Sequence, residues 1–89
     1  MRAVITVIGK DMVGILARVS GECAEHRINV LEVTQSILQD MFAMIMMVDI
    51  AAASISFEAL RQALDAKGQQ LGVKVEIQRE EIFQAMHRI

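Results

Sequence analysis

Gly9-Lys10-Asp11-Met12-Val13-Gly14-Ile15 separates two stretches of different period, and the change of period across it decides the fold. Before it, Val4-Ile5-Thr6-Val7-Ile8 is β-branched and almost wholly apolar, the pattern of a central strand covered on at least one face. After it, Met12, Leu16, Val19 and Cys23 recur at helical spacing while Arg18, Glu22 and Glu25 fall on other faces, so a first amphipathic helix is expected from Leu16 to His26. The segment itself reads as a strand-to-helix turn. In this reading Gly9 supplies a positive backbone angle, Asp11 caps the helix, and Gly14 lets another backbone or a ligand approach closely. Free N–H groups at such a helix start are natural partners for a carboxylate or phosphate, although a capped turn that only joins two elements fits the same spacing.

Working outward, Ile28 to Leu38 has a two-residue period, with Ile28, Val30, Glu32, Thr34 and Ser36 on one side and Leu31, Val33, Gln35 and Ile37 on the other. Gln39-Asp40 is a polar pair between two strand-like runs, so a tight hairpin leads into an antiparallel strand from Phe42 to Ile50. Ser54 or Ser56 can cap a second helix with the stripe Phe57, Leu60, Leu64 and Leu71, ending between Gly68 and Gly72. Val73 to Gln78 alternates as a half-buried fourth strand, and Arg79 to Ile89 reads as helical with Ile82, Phe83 and Met86 on one side. The order β-α-β-β-α-β plus a C-terminal helix specifies an α+β fold, the ferredoxin-like sandwich, as one domain over residues 1–89 with a core at 1–78 and a helical extension at 79–89.

Composition narrows the function classes. With 54% apolar residues in 89, there is more apolar side chain than so small a core needs, and a homodimer or larger assembly is expected to cover the excess. A net charge of −2 and three Phe with no Tyr or Trp offer neither a basic face nor stacking platforms for nucleic acid. A single cysteine excludes an internal disulfide or a CxxC site and suits a reducing compartment. The N-terminus lacks the features of a signal peptide, and the apolar run from Met41 to Val48 is too short to span a bilayer. Together these point to a cytoplasmic protein with no membrane partner.

Nor is there a visible catalytic constellation. No nucleophile is paired with a base, no two carboxylates are placed for acid–base work, and no His, Cys, Asp and Glu cluster at metal-ligand spacing, so neither catalysis, a metal nor a cofactor is expected. Cys23 lies on the apolar stripe as a core thiol, and His26 stands where a helix C-terminus favours an imidazolium. Met41, Met44, Met46 and Met47 read as core and dimer packing, with an adaptable binding surface as the other use.

Among proteins of this plan, a metallochaperone needs paired thiolates on the first loop, an RNA-binding domain needs strand aromatics, and an acylphosphatase-like enzyme needs an Arg at its helix start. This chain has none of these, since Arg18 lies more than a turn beyond Gly14. Gly9 to Ile15 in the first loop, Ile28-Asn29-Val30 opening the second strand, and the stretches Phe42 to Asp49, Phe57 to Leu60 and Ile82 to Ile89 resemble the ACT domain over the whole length. The likeness is greatest to the stand-alone, uncharacterised single-domain members of bacteria and archaea. The resemblance implies a regulatory module that pairs side by side or back to back and binds an amino acid or related metabolite at a subunit interface. It places the ligand carboxylate on the backbone N–H groups of Met12, Val13, Gly14 and Ile15, with Asp11 meeting the ammonium or capping the helix. Asn29, from the same subunit or its neighbour, would hydrogen-bond the ligand. With no catalytic or DNA-binding domain attached, such a module would act on a partner protein. The competing expectation is a ligand-free interaction module docking through a sheet edge or the C-terminal helix.

Overall fold

The computed structural model describes residues 1–10 and 14–86, with backbone only at Leu38 and Met86. Its elements run β1 (Arg2–Gly9), α1 (Ile15–Glu25), β2 (Asn29–Leu38), β3 (Met41–Asp49), α2 (Phe57–Leu71), β4 (Lys74–Arg79) and α3 (Glu80–Met86). The expected βαββαβ order with a C-terminal helix is present.

The four strands form one antiparallel sheet in the order β2-β3-β1-β4. Alternation sends Ala3, Ile5 and Val7 of β1 and Phe42, Met44, Met46 and Val48 of β3 to one face, where Ile15, Val19 and Cys23 of α1 and Leu60 and Leu64 of α2 close a single apolar core. The methionines divide by parity: Met44 and Met46 are wholly buried, whereas Met41 is 41% exposed. Val4 is buried on the opposite face, outside that core. There α3 packs on β1 and β4, tied down by the ion pair between Arg2 and Glu80 at 2.6 Å.

Several local expectations are corrected. In α1 Val19 and Cys23 face inward as expected, but the first-turn residue that joins them is Ile15, four residues before Val19, while Leu16 is 37% exposed. In β2 a bulge between Val30 and Glu32 breaks the two-residue period, so Val30 turns to the face of Val33 rather than that of Glu32. Both valines therefore pack against the core. α2 ends inside the window expected between Gly68 and Gly72: the helix runs to Leu71, Gly72 takes the left-handed conformation at φ 73°, and the N–H of Val73 reaches back to the carbonyl of Gly68 at 2.9 Å. Ser56, of the two serine candidates, is the cap, its Oγ accepting from the Ala59 N–H at 3.1 Å. The terminal helix begins at Glu80, one residue later than expected, and its expected continuation over residues 87–89 lies outside the described residues.

Candidate ligand-binding site

The register defines two ends of the sheet. At one end Gly9 pairs with Phe42, and the hairpin residues Gln39 and Asp40, the α2–β4 turn and the start of α1 gather beside it. At the other end Arg2 pairs with Asp49, and Asp49 pairs with Asn29. We call the first the loop end.

At the loop end the two glycines exchange the roles expected of them. Gly9 has no positive φ; it finishes β1 in extended backbone, and what it requires is room, since a Cβ there would collide with Cγ1 of Val73 and stand 3.0 Å from its Cβ. Gly14 is the residue with a positive φ, at 74°, and among the described residues nothing lies within 4 Å of where its Cβ would point. Gly14 is also the N-cap position of α1, a role expected of Asp11, and among the described residues no side chain caps the helix there. The first helical hydrogen bond runs from the Arg18 N–H to the Gly14 carbonyl at 3.0 Å. The N–H groups of Ile15, Leu16 and Ala17 precede it, and the first turn carries no acidic side chain.

Of the expected ligand contacts, Gly14 and Ile15 are therefore at a helix start whose first N–H groups have no intrahelical acceptor, while Asp11, Met12 and Val13 lie outside the described residues. Ile15 contributes through its backbone, because its side chain is buried in the core at 2% exposure. Asn29 is not brought to this end. The length of β1 lies between them, about 23 Å at the usual rise of a strand. A site combining Gly14 with Asn29 of the same chain is excluded by the register.

The second strand is open where it passes the loop end. β2 is an edge strand of 10 residues carrying a single charge, Glu32, and neither Pro nor Lys. On the side facing the helix layer Val33 packs against the core, but Gln35 is exposed and Ile37 is 58% exposed. Leu31, at the bulge, is 46% exposed.

The other edge of the sheet is different. Along β4 runs a groove of about 810 Å³ lined by Phe57, Arg61 and Asp65 of α2, all of β4, and Ile82 of α3. Its charges are internally matched: Arg61 pairs with Glu58 at 2.6 Å, Lys74 with Glu76 at 3.3 Å, and the Arg79 guanidinium lies 4.5 Å over the Phe57 ring. The Arg61 contact holds the Glu58 carboxyl below its ordinary range. This groove includes neither Gly14, Ile15 nor Asn29.

The remaining titratable groups have structural settings. Glu22, 13% exposed, accepts from His26 Nε2 at 2.9 Å and faces Lys67 Nζ at 3.6 Å, linking α1 to α2. Asp49 accepts from the Ala51 N–H at 2.9 Å, which holds its carboxyl below the usual range. Burial, with a further push from Glu22, raises the Cys23 thiol to about 11, which disfavours the thiolate. Among the described residues no cluster of three metal-ligating side chains occurs, and no helix is long and apolar enough to cross a membrane.

Known proteins share this arrangement. A profile for the ACT domain matches residues 2–78. A UPF0237 protein of Clostridium acetobutylicum is 49% identical over 89 residues, the whole of both chains, and one of Methanopyrus kandleri is 47% identical over 88 residues, 99% of this chain and 98% of that one. Among solved structures, an ACT domain protein from Streptococcus pneumoniae superposes with a TM-score of 0.83 at 42% identity, covering 98% of each chain. With the sheet order, the glycine turn into α1 and the match over nearly its full length, this chain belongs to the ACT domain family, typically small-molecule-binding regulatory modules.

Proposed function

We propose that the protein is a non-enzymatic sensor of an amino acid or related small metabolite, bound between two copies of the chain and acting on a partner protein. The observation that carries this reading is the pairing of a donor-rich helix start at Gly14 and Ile15 with an unblocked β2 edge beside it. A free helix N-terminus attracts a carboxylate, and an edge strand without Pro or Lys attracts another strand.

The geometry suggests how Asn29 joins the site. If two β2 strands pair antiparallel around Val33 and Thr34, each chain's Asn29 travels to the other chain's loop end, beside Ile37. The exposed Gln35 and Ile37 then become covered by the second subunit. Within this arrangement Gly14 and Ile15, with the Met12 and Val13 backbone, would hold the ligand carboxylate. Asp11 would meet the ammonium, and the partner subunit's Asn29 would close the pocket.

A panel of the common amino acids, each tested for a shift in the melting midpoint of the purified protein, examines this reading. At ~100 times its dissociation constant a ligand adds about 2.7 kcal/mol of stability, a shift of several degrees. A selective shift lost in Asp11→Ala and Asn29→Ala supports the sensor, and no shift with any member of the panel contradicts it. The free β4 edge between Phe57 and Ile82 favours a second reading, in which an extended segment of a partner docks without a small ligand. That reading expects loss of partner binding in Ile82→Glu with the amino-acid panel silent.

A further inference from the structure

Three segments meet at the loop end with no slack between them. Gly68, inside α2, lies so close to the following turn that a Cβ there would stand 2.8 Å from the Val73 carbonyl oxygen and 2.9 Å from Cγ2 of Val75. The Val73 N–H is held by the Gly68 carbonyl at 2.9 Å, and Gly72 turns the chain in the left-handed conformation. Val73 is therefore fixed by backbone on both of its sides. Its side chain, in turn, occupies the space where Gly9 would carry a Cβ. On the other side Gly9 is paired with Phe42, which is 2% exposed. The last residue of β1 is thus held between a buried strand and one valine side chain, immediately before the chain enters the first loop.

We infer that Val73 is a positioning residue of the ligand site: its side chain fixes the direction in which the chain leaves β1 and so the placement of the Gly14 helix start. The inference rests on the interface sensor described above for its functional meaning, but its structural content stands apart from any ligand. Residues at a tight, half-buried glycine–valine contact of this kind have two discrete ways to be wrong, a gap or a collision, because packed contacts do not deform continuously. Removing the valine methyls opens a gap; adding one to Gly9 makes a collision. Combining Gly9→Ala with Val73→Ala removes two methyls from one residue and adds one to the other, and should restore part of the fit, because the two Cβ atoms then stand 3.0 Å apart, within reach of a shift of a few tenths of an ångström.

Hydrogen–deuterium exchange on the full chain tests this without needing a ligand. Val73→Ala and Gly9→Ala should each speed exchange of the Arg18 amide and the turn after it by on the order of tenfold, with β3 amides unchanged. The double variant Gly9→Ala/Val73→Ala should exchange more slowly there than Gly9→Ala alone. Acceleration spread evenly along the chain, no change in Val73→Ala, or a double variant faster than Gly9→Ala would overturn the inference. For whichever of the twenty common amino acids most raises the wild-type melting midpoint, Val73→Ala should weaken binding on the order of tenfold, with partial recovery in Gly9→Ala/Val73→Ala. Silence across that panel removes the sensor reading alone, since the exchange pattern still decides the role of Val73.

Discussion

Asn29 and Gly9 occupy opposite ends of one sheet: Asn29 pairs with Asp49, Asp49 with Arg2, and Arg2 begins the strand that Gly9 finishes. Gly14, five residues past Gly9, and Asn29, which the resemblance assigns to a common ligand, would therefore meet only across two copies of the chain. Under the proposed function, oligomerisation would then be part of the binding chemistry rather than an accessory to it.

If β2 edges pair, charge placed on that edge prevents it. Thr34→Lys/Ser36→Lys alters two exposed positions and leaves the core untouched. Light scattering on the eluting protein should give a multiple of 9.9 kDa for the wild type and the mass of a smaller species for the variant, with helix content unchanged. An assembly of undiminished mass would place the interface elsewhere.

The glycines separate by mechanism. Gly9→Ala should destabilise by ~1–3 kcal/mol through collision with Val73, and Gly14→Ala by about 1 kcal/mol through its positive φ. Gly21, inside α1 with nothing within 4 Å of its missing Cβ, should do the reverse: Gly21→Ala gains ~0.5–1 kcal/mol. Melting midpoints of the three variants check the order Gly21→Ala above wild type, then Gly14→Ala, with Gly9→Ala lowest.

These glycines also show what was legible in the chain. Period and punctuation located the elements, because Val4 to Ile8 and Phe57 to Leu71 each carry one uninterrupted pattern. That Gly9 and Gly14 are both needed could be read, but not which needed space and which needed a positive φ, since Val73 is 64 positions from Gly9 in sequence and adjacent only after folding. The burial of Ile15 in place of Leu16 in α1 has the same origin: both are apolar, and the packing of Val19 and Cys23 chooses between them. The β2 bulge leaves no mark in composition, so a strict alternation placed Val30 on the wrong face. For the site, residue types at the helix start were legible, whereas the separation of Asn29 required the register.

Cys23 should be silent to thiol reagents. Its folded value of about 11 lies above the ordinary 9.0, so the neutral thiol is favoured in the folded state. Its contribution to stability is fully present below pH 9 and is lost as pH rises through 11. The native protein at pH 8 should resist a disulfide-exchange reagent until denaturant exposes the thiol, and Cys23→Ala should show a shallower loss of stability between pH 9 and 11 than the wild type.

The central claim is that the first loop of one chain and Asn29 of another form a single site, and mixing two dead variants tests it most directly. Asp11→Ala and Asn29→Ala are prepared separately, unfolded together in equal amounts, refolded, and titrated calorimetrically with the amino acid that most stabilises the wild type. Random pairing makes half the dimers hybrid, each with one site combining an intact loop and an intact Asn29, so binding should return at about a quarter of wild-type stoichiometry and near wild-type affinity. A mixture as silent as its two components would contradict the shared site.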